Sequence, residues 1–154
     1  MSPLKRLFLS LTIAAQMFGC DVAFGYYDED RAVAETAVYN FHKFYNDAKY
    51  SSIYALMGPQ VQQSTSEANF SAAVGKTAMK YGAFKNTQLA VASCFPHQVR
   101  FIYLSEFTNS KATEMMIWSV NDHKAALMMY RISPGFVKTE PDPKTVCPNR
   151  QTQP

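Results

Sequence analysis

The feature of this sequence that most restricts its fold is a change of hydrophobic period at Gly82. Before this glycine, apolar residues recur at steps of three and four, as on one face of an α-helix. After it, four segments rich in β-branched and aromatic residues are separated by short polar turns, which is typical of strands. The sequence therefore predicts helices first and a sheet afterwards.

Three helices are predicted before this point. The first follows the acidic run from Asp28 to Asp30, whose negative charge suits a helix N-terminus. A short second helix is capped by Ser51 and Ser52 and ended by Gly58 and Pro59. The third begins at Ser64, with a glutamate at capping-box spacing. The apolar face of the first helix consists of Ala34, Val38, Phe41, Tyr45 and Ala48.

Four strands are predicted after this point: Asn86 to Phe95, Gln98 to Phe107, Ala112 to Val120 and Ala125 to Ser133. The connections between them are too short for the crossover of about a dozen residues that parallel strands need. We therefore predict an α+β fold in which N-terminal helices pack on one face of a curved four-stranded antiparallel sheet. Residues 134–154 are rich in proline, so we expect an extended or mobile C-terminal tail.

Residues 1–25 are predicted to be a signal segment. Lys5 and Arg6 precede an apolar run from Leu7 to Gly19, which is the order of the basic and hydrophobic parts of such a segment. The run is shorter than the roughly 20 residues that cross a bilayer. Cleavage after Gly25 would release a bacterial protein into the periplasm or the medium, with a single α+β domain over residues 26–133.

A second processing site competes with the first. Gly19 and Cys20 resemble a bacterial lipobox, which would leave an acylated Cys20 as the first residue of an envelope lipoprotein. Such a protein would contact the membrane only through its lipid. The small residues at Ala23 and Gly25 favour soluble release.

The cysteines fit an oxidising compartment. Cys94 and Cys147 remain as an even pair once Cys20 is removed or acylated, and we predict a disulfide between them. The alternative is a reactive thiol at Cys94, which lies close to His97 in the sequence.

Composition narrows the class of protein. A hydrophobic fraction of 47% and an aromatic fraction of 14% suit a packed domain rather than a disordered chain. The formal net charge of +3 falls by two when Lys5 and Arg6 are removed, or by one when Asp21 is removed with them. Because no run of Lys and Arg remains, nucleic acid is not an expected partner.

The order of helices and strands resembles the cone-shaped roll of the nuclear-transport-factor-two superfamily. The segments 41–50, 66–82 and 126–132 are similar to an uncharacterised bacterial envelope branch of it. The resemblance implies a pocket between sheet and helices, although aromatic residues at these spacings also suit an ordinary core. The candidate pocket residues are Phe41, Tyr45, Phe101, Tyr103 and Trp118.

The same resemblance raises an enzyme alternative, because superfamily members include isomerases and dehydratases that pair an Asp or His base with Tyr donors. The candidates for such roles are His42, Asp47, Tyr103, Glu106, Glu114 and His123. The positions of His42, Asp47 and His123 predict solvated roles, so no catalytic residue is assigned. No metal site or cofactor is predicted, because the histidines lack ligand spacing.

We therefore predict a non-enzymatic cell-envelope binding domain. Its partner would be a small apolar ligand in the cone, or a protein on the sheet, including a second copy in a homodimer. The second interpretation depends on residues such as Ile102 and Met115, which make the face away from the helices apolar as well. The alternatives are an isomerase- or dehydratase-like enzyme, an immunity-type inhibitor and a secretion-system component.

Overall fold

The computed structural model describes residues 21–147, with side chains from residue 27 onwards. The helices are α1 (Asp21–Asn46), α2 (Tyr50–Ala55), α3 (Pro59–Ser64) and α4 (Glu67–Tyr81). The strands are β1 (Phe84–Phe95), β2 (Gln98–Phe107), β3 (Lys111–Asn121) and β4 (Lys124–Pro134). The predicted α+β fold is confirmed, and the predicted strand ends agree to within two residues.

The helices differ from the prediction in two places. Pro59 begins α3 instead of ending α2, because proline at the first helical position has no N–H to leave unpaired. Helix α4 is capped by Ser66, whose Oγ accepts a hydrogen bond from the backbone N–H of Asn69 at 3.3 Å. Ser64, the predicted cap, instead donates to the carbonyl of Val61 and belongs to α3.

The strands pair in the order β1-β2-β3-β4, each antiparallel to the next. Register shifts between Leu89 and Val91 and between Ile117 and Trp118 are β-bulges, which bend the strands and increase their twist. The sheet is therefore a curved meander with one inner face, towards the helices, and one outer face.

The core lies between the helices and the inner face of the sheet. Helix α1 contacts all four strands. Full burial of one large apolar side chain stabilises the fold by about 1.5–3 kcal/mol relative to its exposure. Burial of several such side chains between the helices and the sheet therefore determines how α1 lies on the sheet. The fully buried large apolar side chains are Phe41, Ile53, Phe101, Met116, Trp118 and Leu127.

Residues 135–147, which we call the strap, cross from one edge of the sheet to the other. At the β4 side, the Thr113 hydroxyl donates to the carbonyl of Gly135 and accepts from the N–H of Val137. At the β1 side, the Cys147 N–H donates to the carbonyl of Ala92 at 3.1 Å. The strap contains no helix or strand of its own, which is compatible with the extended form of the predicted tail, and hydrogen bonds hold both of its ends on the sheet.

The predicted disulfide between Cys94 and Cys147 is present and joins β1 to the end of the strap. Next to it, Ser93 pairs with Val146 in an antiparallel bridge, so the strap occupies part of the free edge of β1. Cys147 is buried against the core cluster.

The strap also covers part of the outer face. Ile102 points away from the helices, yet only 9% of it is exposed, and it borders a cleft together with Val137 and Thr139 of the strap. Fewer apolar side chains of the outer face are therefore exposed than its sequence suggests, because the strap covers part of that face. Met129, at the β4 edge, is still 45% exposed.

The predicted signal segment falls mainly on residues 1–20, which lie outside the described residues together with Cys20. Residues 21–25 belong to the first turns of α1. Within residues 21–147, no helix has both the length and the hydropathy of a membrane span.

Candidate functional site

An apolar groove of about 410 Å³ lies between α4 and β4. Its volume falls in the range of small-molecule sites, and its lining contains no charged side chain. Apolar residues at helical spacing along α4 form one wall of the groove, and apolar residues of β4 form the opposite wall. The lining residues are Met57, Val61, Phe70, Ala73, Val74, Thr77, Leu127, Met129, Tyr130 and Ile132.

Tyr130 connects the groove to a buried polar cluster. Its ring lies against Phe41, with 4.7 Å between the ring centroids, and its hydroxyl donates to Glu114 Oε1 at 2.9 Å. The phenol proton is therefore committed to a carboxylate, while the ring borders the groove.

Glu114 is the centre of this cluster and is fully buried. Besides the bond from Tyr130, its Oε2 receives a hydrogen bond from Ser105 Oγ and another from His42 Nε2, the latter at 3.1 Å. Because a carboxylate only accepts hydrogen bonds, His42 Nε2 carries the hydrogen. Thr87 extends the cluster through a 2.8 Å contact between its hydroxyl and that of Ser105.

The pKa of Glu114 reflects these contacts. Burial raises the pKa, but the hydrogen bond and electrostatic attraction of His42, with the hydrogen bonds from Ser105 and Tyr130, outweigh it. The net pKa lies below its ordinary value, so Glu114 is ionised at neutral pH. Burial and the nearby Glu114 charge raise the pKa of Tyr130, which keeps Tyr130 protonated as a donor.

His42 lies on the other side of the cluster from the groove. It is 5% exposed, and its ring stacks on Phe84 at 3.8 Å between centroids. A separate pocket of about 320 Å³ between α1 and β1 is bordered by His42, Thr87 and Tyr103. Burial, and then the negative charge of Glu35, raise the pKa of Tyr103.

The five predicted pocket residues are all buried in the core. Phe41 packs against Tyr130, and the Tyr45 hydroxyl donates to the carbonyl of Gly82 at 3.0 Å. Phe101 and Trp118 are fully buried. Of the five, only Tyr103 borders one of the pockets described above, so the contacts of the other four are those of core residues.

Five of the six catalytic candidates separate into two groups, and the sixth, Tyr103, borders the pocket between α1 and β1. His42 and Glu114 meet through their hydrogen bond, so the prediction of a solvated role for His42 is wrong: the same stripe of α1 that buries Val38 and Phe41 also buries His42. Asp47 and Glu106 instead form surface ion pairs with Lys49 and Lys111, and at the surface His123 Nδ1 lies 3.0 Å from Glu29 Oε1.

Ser105 and Tyr130 were missed from the sequence. Every second residue of a strand points to the same face of the sheet. The residues that share a face with Ser105 and with Tyr130 include large apolar side chains, such as Phe107 on β2. Alternation alone therefore places Ser105 and Glu114 on the inner face, where a polar side chain needs a partner. The sequence therefore indicates which polar side chains lie on the inner face and need a partner, but it does not indicate which residues those partners are.

Comparison with known proteins found no matching family model, no matching curated protein and no matching solved structure. Among residues 21–147, no group of three or more His, Cys, Asp or Glu side chains is arranged to hold a metal ion.

Proposed function

We propose that this chain is an exported bacterial envelope domain that binds a small apolar molecule in the groove between α4 and β4. The observation that carries the proposal is the groove itself, which combines an apolar lining with one tyrosine fixed by a buried carboxylate. Small-molecule sites typically combine a mostly apolar surface with a few fixed polar groups.

Binding is tested with a neutral fluorescent probe, N-phenyl-1-naphthylamine, whose emission rises in apolar surroundings. Ala73 is exposed and borders the groove, so Ala73→Trp fills the groove without disturbing the core. We expect this variant to lose at least about tenfold in probe affinity, because a large side chain occupies the ligand volume. Ala72→Trp, at the neighbouring exposed position outside the groove, is the matched control. Equal probe binding by the two variants would contradict the proposal.

Export is supported by the basic and apolar order of the first residues and by the Cys94–Cys147 disulfide. We propose the periplasm or the medium as its location, with an anchored lipoprotein as the alternative. Intact mass of the protein expressed in a bacterial host tests this. A mass beginning at Tyr26 supports release, and one beginning at an acylated Cys20 supports anchoring. An unprocessed mass beginning at Met1 contradicts both.

A second candidate function, an isomerase- or dehydratase-like enzyme, is favoured by the His42–Glu114 pair. A histidine held by a buried carboxylate beside a pocket is the arrangement of a general base with an orienting partner. This candidate also accords with the proposed membership of the nuclear-transport-factor-two superfamily. The binding function ranks first because His42, which would be the base, is only 5% exposed.

The enzyme candidate is tested with β,γ-unsaturated ketones, whose isomerisation to the conjugated product is followed by ultraviolet absorbance. If His42 is the base, His42→Gln abolishes turnover while His97→Gln, in the exposed β1–β2 turn, retains it. Absence of turnover by the unmodified protein, or an equal rate in both variants, would count against this function.

A further inference from the structure

Strand β4 lies at the edge of the sheet, and part of its outer backbone is unpaired. The Gly135 N–H donates to the carbonyl of Lys111 on β3, so residue 135 faces β3. Successive residues of a strand direct their backbone groups to opposite sides, and the register is regular over residues 129–134. Tyr130 and Ile132 therefore direct their N–H and C=O groups to the free edge. Within residues 21–147, no loop or helix forms a backbone hydrogen bond with either residue there.

The apolar groove between α4 and β4 reaches this free edge. Its lining includes Met129, whose side chain lies on the outer face, as well as Leu127 and Ile132, whose side chains lie on the inner face. A groove that meets both faces of one strand must extend to the edge of that strand. The edge already pairs with other backbone at Leu127, whose N–H donates to the Leu56 carbonyl and whose carbonyl accepts from the Gly58 N–H.

The charge around the groove is mostly positive. Helix α3 has no charged side chain, and α4 and β4 together carry one acidic residue, Glu67. Their basic residues are Lys76, Lys80, Lys124 and Arg131, all of them exposed. None of these four belongs to an ion pair of the described residues. An acidic partner would therefore meet complementary charge, whereas the β4 strand of a second copy would bring like charges together.

We propose that an acidic, extended peptide of a partner protein binds here as a fifth strand of the sheet, antiparallel or parallel to β4. Its backbone pairs with Tyr130 and Ile132. Because side chains alternate along a strand, its apolar side chains enter the groove and its acidic side chains lie on the outer face, as Arg131 does. This inference goes beyond the proposed binding of a small molecule, since it depends on the β4 backbone as well as on the apolar walls.

The probe is a fluorescein-labelled peptide of alternating valine and glutamate, about six residues long, and binding is measured by fluorescence anisotropy at pH 7. Two analogues carry N-methyl groups, one on its valines and the other on its glutamates. Only one of these two sets of amides can face β4. We expect one analogue to bind at least about tenfold more weakly than the other, because it has lost its hydrogen bonds to the edge. Equal affinities of the two analogues would overturn the strand pairing.

Variants of β4 test the backbone and the charge separately. Ile132→Pro removes the edge N–H, which an edge strand tolerates, and Ile132→Ala is its matched control, with the side chain shortened and the N–H kept. We expect the proline variant to bind the peptide at least about threefold more weakly than the alanine variant. Circular dichroism checks that both are folded, and the methylated peptides test the same pairing without any variant.

The charge is tested by Arg131→Glu, which should weaken peptide binding about fivefold. Lys144→Glu, at an exposed position in the strap, makes the same change of net charge away from the groove and should leave binding unchanged. A peptide in which lysine replaces glutamate should bind at least about tenfold more weakly than the acidic one. Equal binding of the two peptides would overturn the acidic partner.

The outcomes distinguish this inference from the proposed function. If N-phenyl-1-naphthylamine binds and the acidic peptide does not, the peptide site is overturned and the proposed function stands. If the peptide binds and the probe does not, the proposed function fails while this inference stands. Sedimentation of the unmodified protein as a dimer that Ile132→Pro dissociates, and Ile132→Ala does not, would show that a second copy occupies the edge and would overturn the foreign peptide.

Discussion

Glu114 brings a negative charge into the core, and three side chains from separate elements surround it. His42 comes from α1, Ser105 from β2 and Tyr130 from β4. A buried charge is costly to desolvate, so its donors determine whether it stabilises or destabilises the fold. The cluster therefore links the position of α1 to the register of the sheet.

Replacement of Glu114 by Gln should lower the free energy of unfolding by about 3 kcal/mol, because the amide cannot accept from all three donors. Urea denaturation followed by tryptophan fluorescence measures the change. Glu106→Gln is the control, since Glu106 forms its 2.9 Å ion pair with Lys111 at the surface and its loss should change stability little. Equal effects of the two substitutions would show that the cluster is not stabilising.

The same residue predicts an acid dependence of stability. The folded-state pKa of Glu114 is lowered, so its contribution is present above the unfolded carboxyl pKa of about 4.3 and is lost as pH falls through the folded pKa. Urea denaturation between pH 7 and pH 3 should show this loss in the unmodified protein and a smaller one in Glu114→Gln. Identical pH profiles would contradict the assignment.

Part of this site could be predicted from the sequence. Alternation along β3 places Glu114 on the same side as Met116 and Trp118, and helical spacing places His42 close to the apolar stripe. Their contact, between residues 72 positions apart, depends on how α1 is rotated over the curved sheet. The bulges set that curvature, and no local sequence pattern specifies it.

At the scale of elements, the strands were predicted well because short turns mark their ends. His97, Asp122 and His123 adopt the positive φ angles of these turns. Helix α3 was missed because Pro59 suggested a break, and the hydrogen bonds of the strap were missed because the prolines from Pro134 onwards indicated only an extended or mobile tail. Pro59 is followed by residues with helical geometry, and Pro134 is followed by residues with tertiary hydrogen bonds. The local sequence reveals neither.

Two glycines with positive φ angles, Gly82 between α4 and β1 and Gly135 after β4, yield a prediction. Gly82 has φ +81°, and an added Cβ would overlap Thr108 and Asn109. Gly135 has φ +74° but no atom within 4 Å of an added Cβ. Gly82→Ala should therefore cost about 3 kcal/mol, and Gly135→Ala about 1 kcal/mol from backbone strain alone. Thermal unfolding ranks the two variants, and a similar cost for both would contradict the predicted overlap.

At the scale of the whole molecule, the strap closes the structure across the sheet. It begins at the β4 edge, crosses near Thr113 and ends at β1, where the disulfide spans 53 residues of sequence. On the opposite edge, Gly58 donates to the carbonyl of Leu127 and protects part of β4. Both outer strands are therefore partly shielded from pairing with other chains.

Removal of the disulfide by the double substitution Cys94→Ala and Cys147→Ala should lower the free energy of unfolding by roughly 4 kcal/mol in the chain-entropy model. The rate of hydrogen exchange should also rise at the backbone amides of Val137 and Cys147, because the hydrogen bonds that these two strap residues donate to the sheet would open more often. Lys144→Ala, at an exposed position in the strap, is the control. Unchanged exchange in the double variant would show that the strap is held without the disulfide.

The order of residues along the chain determines when, during synthesis, the disulfide can form. Cys147 follows the last of the helices and strands that the structure describes, so the bond to Cys94 cannot form until synthesis has reached residue 147. A molecule truncated before residue 147 lacks both this disulfide and the hydrogen bond from the Cys147 N–H to the carbonyl of Ala92 on β1. The Cys94–Cys147 disulfide therefore distinguishes molecules that extend to residue 147 from shorter ones, which cannot form it.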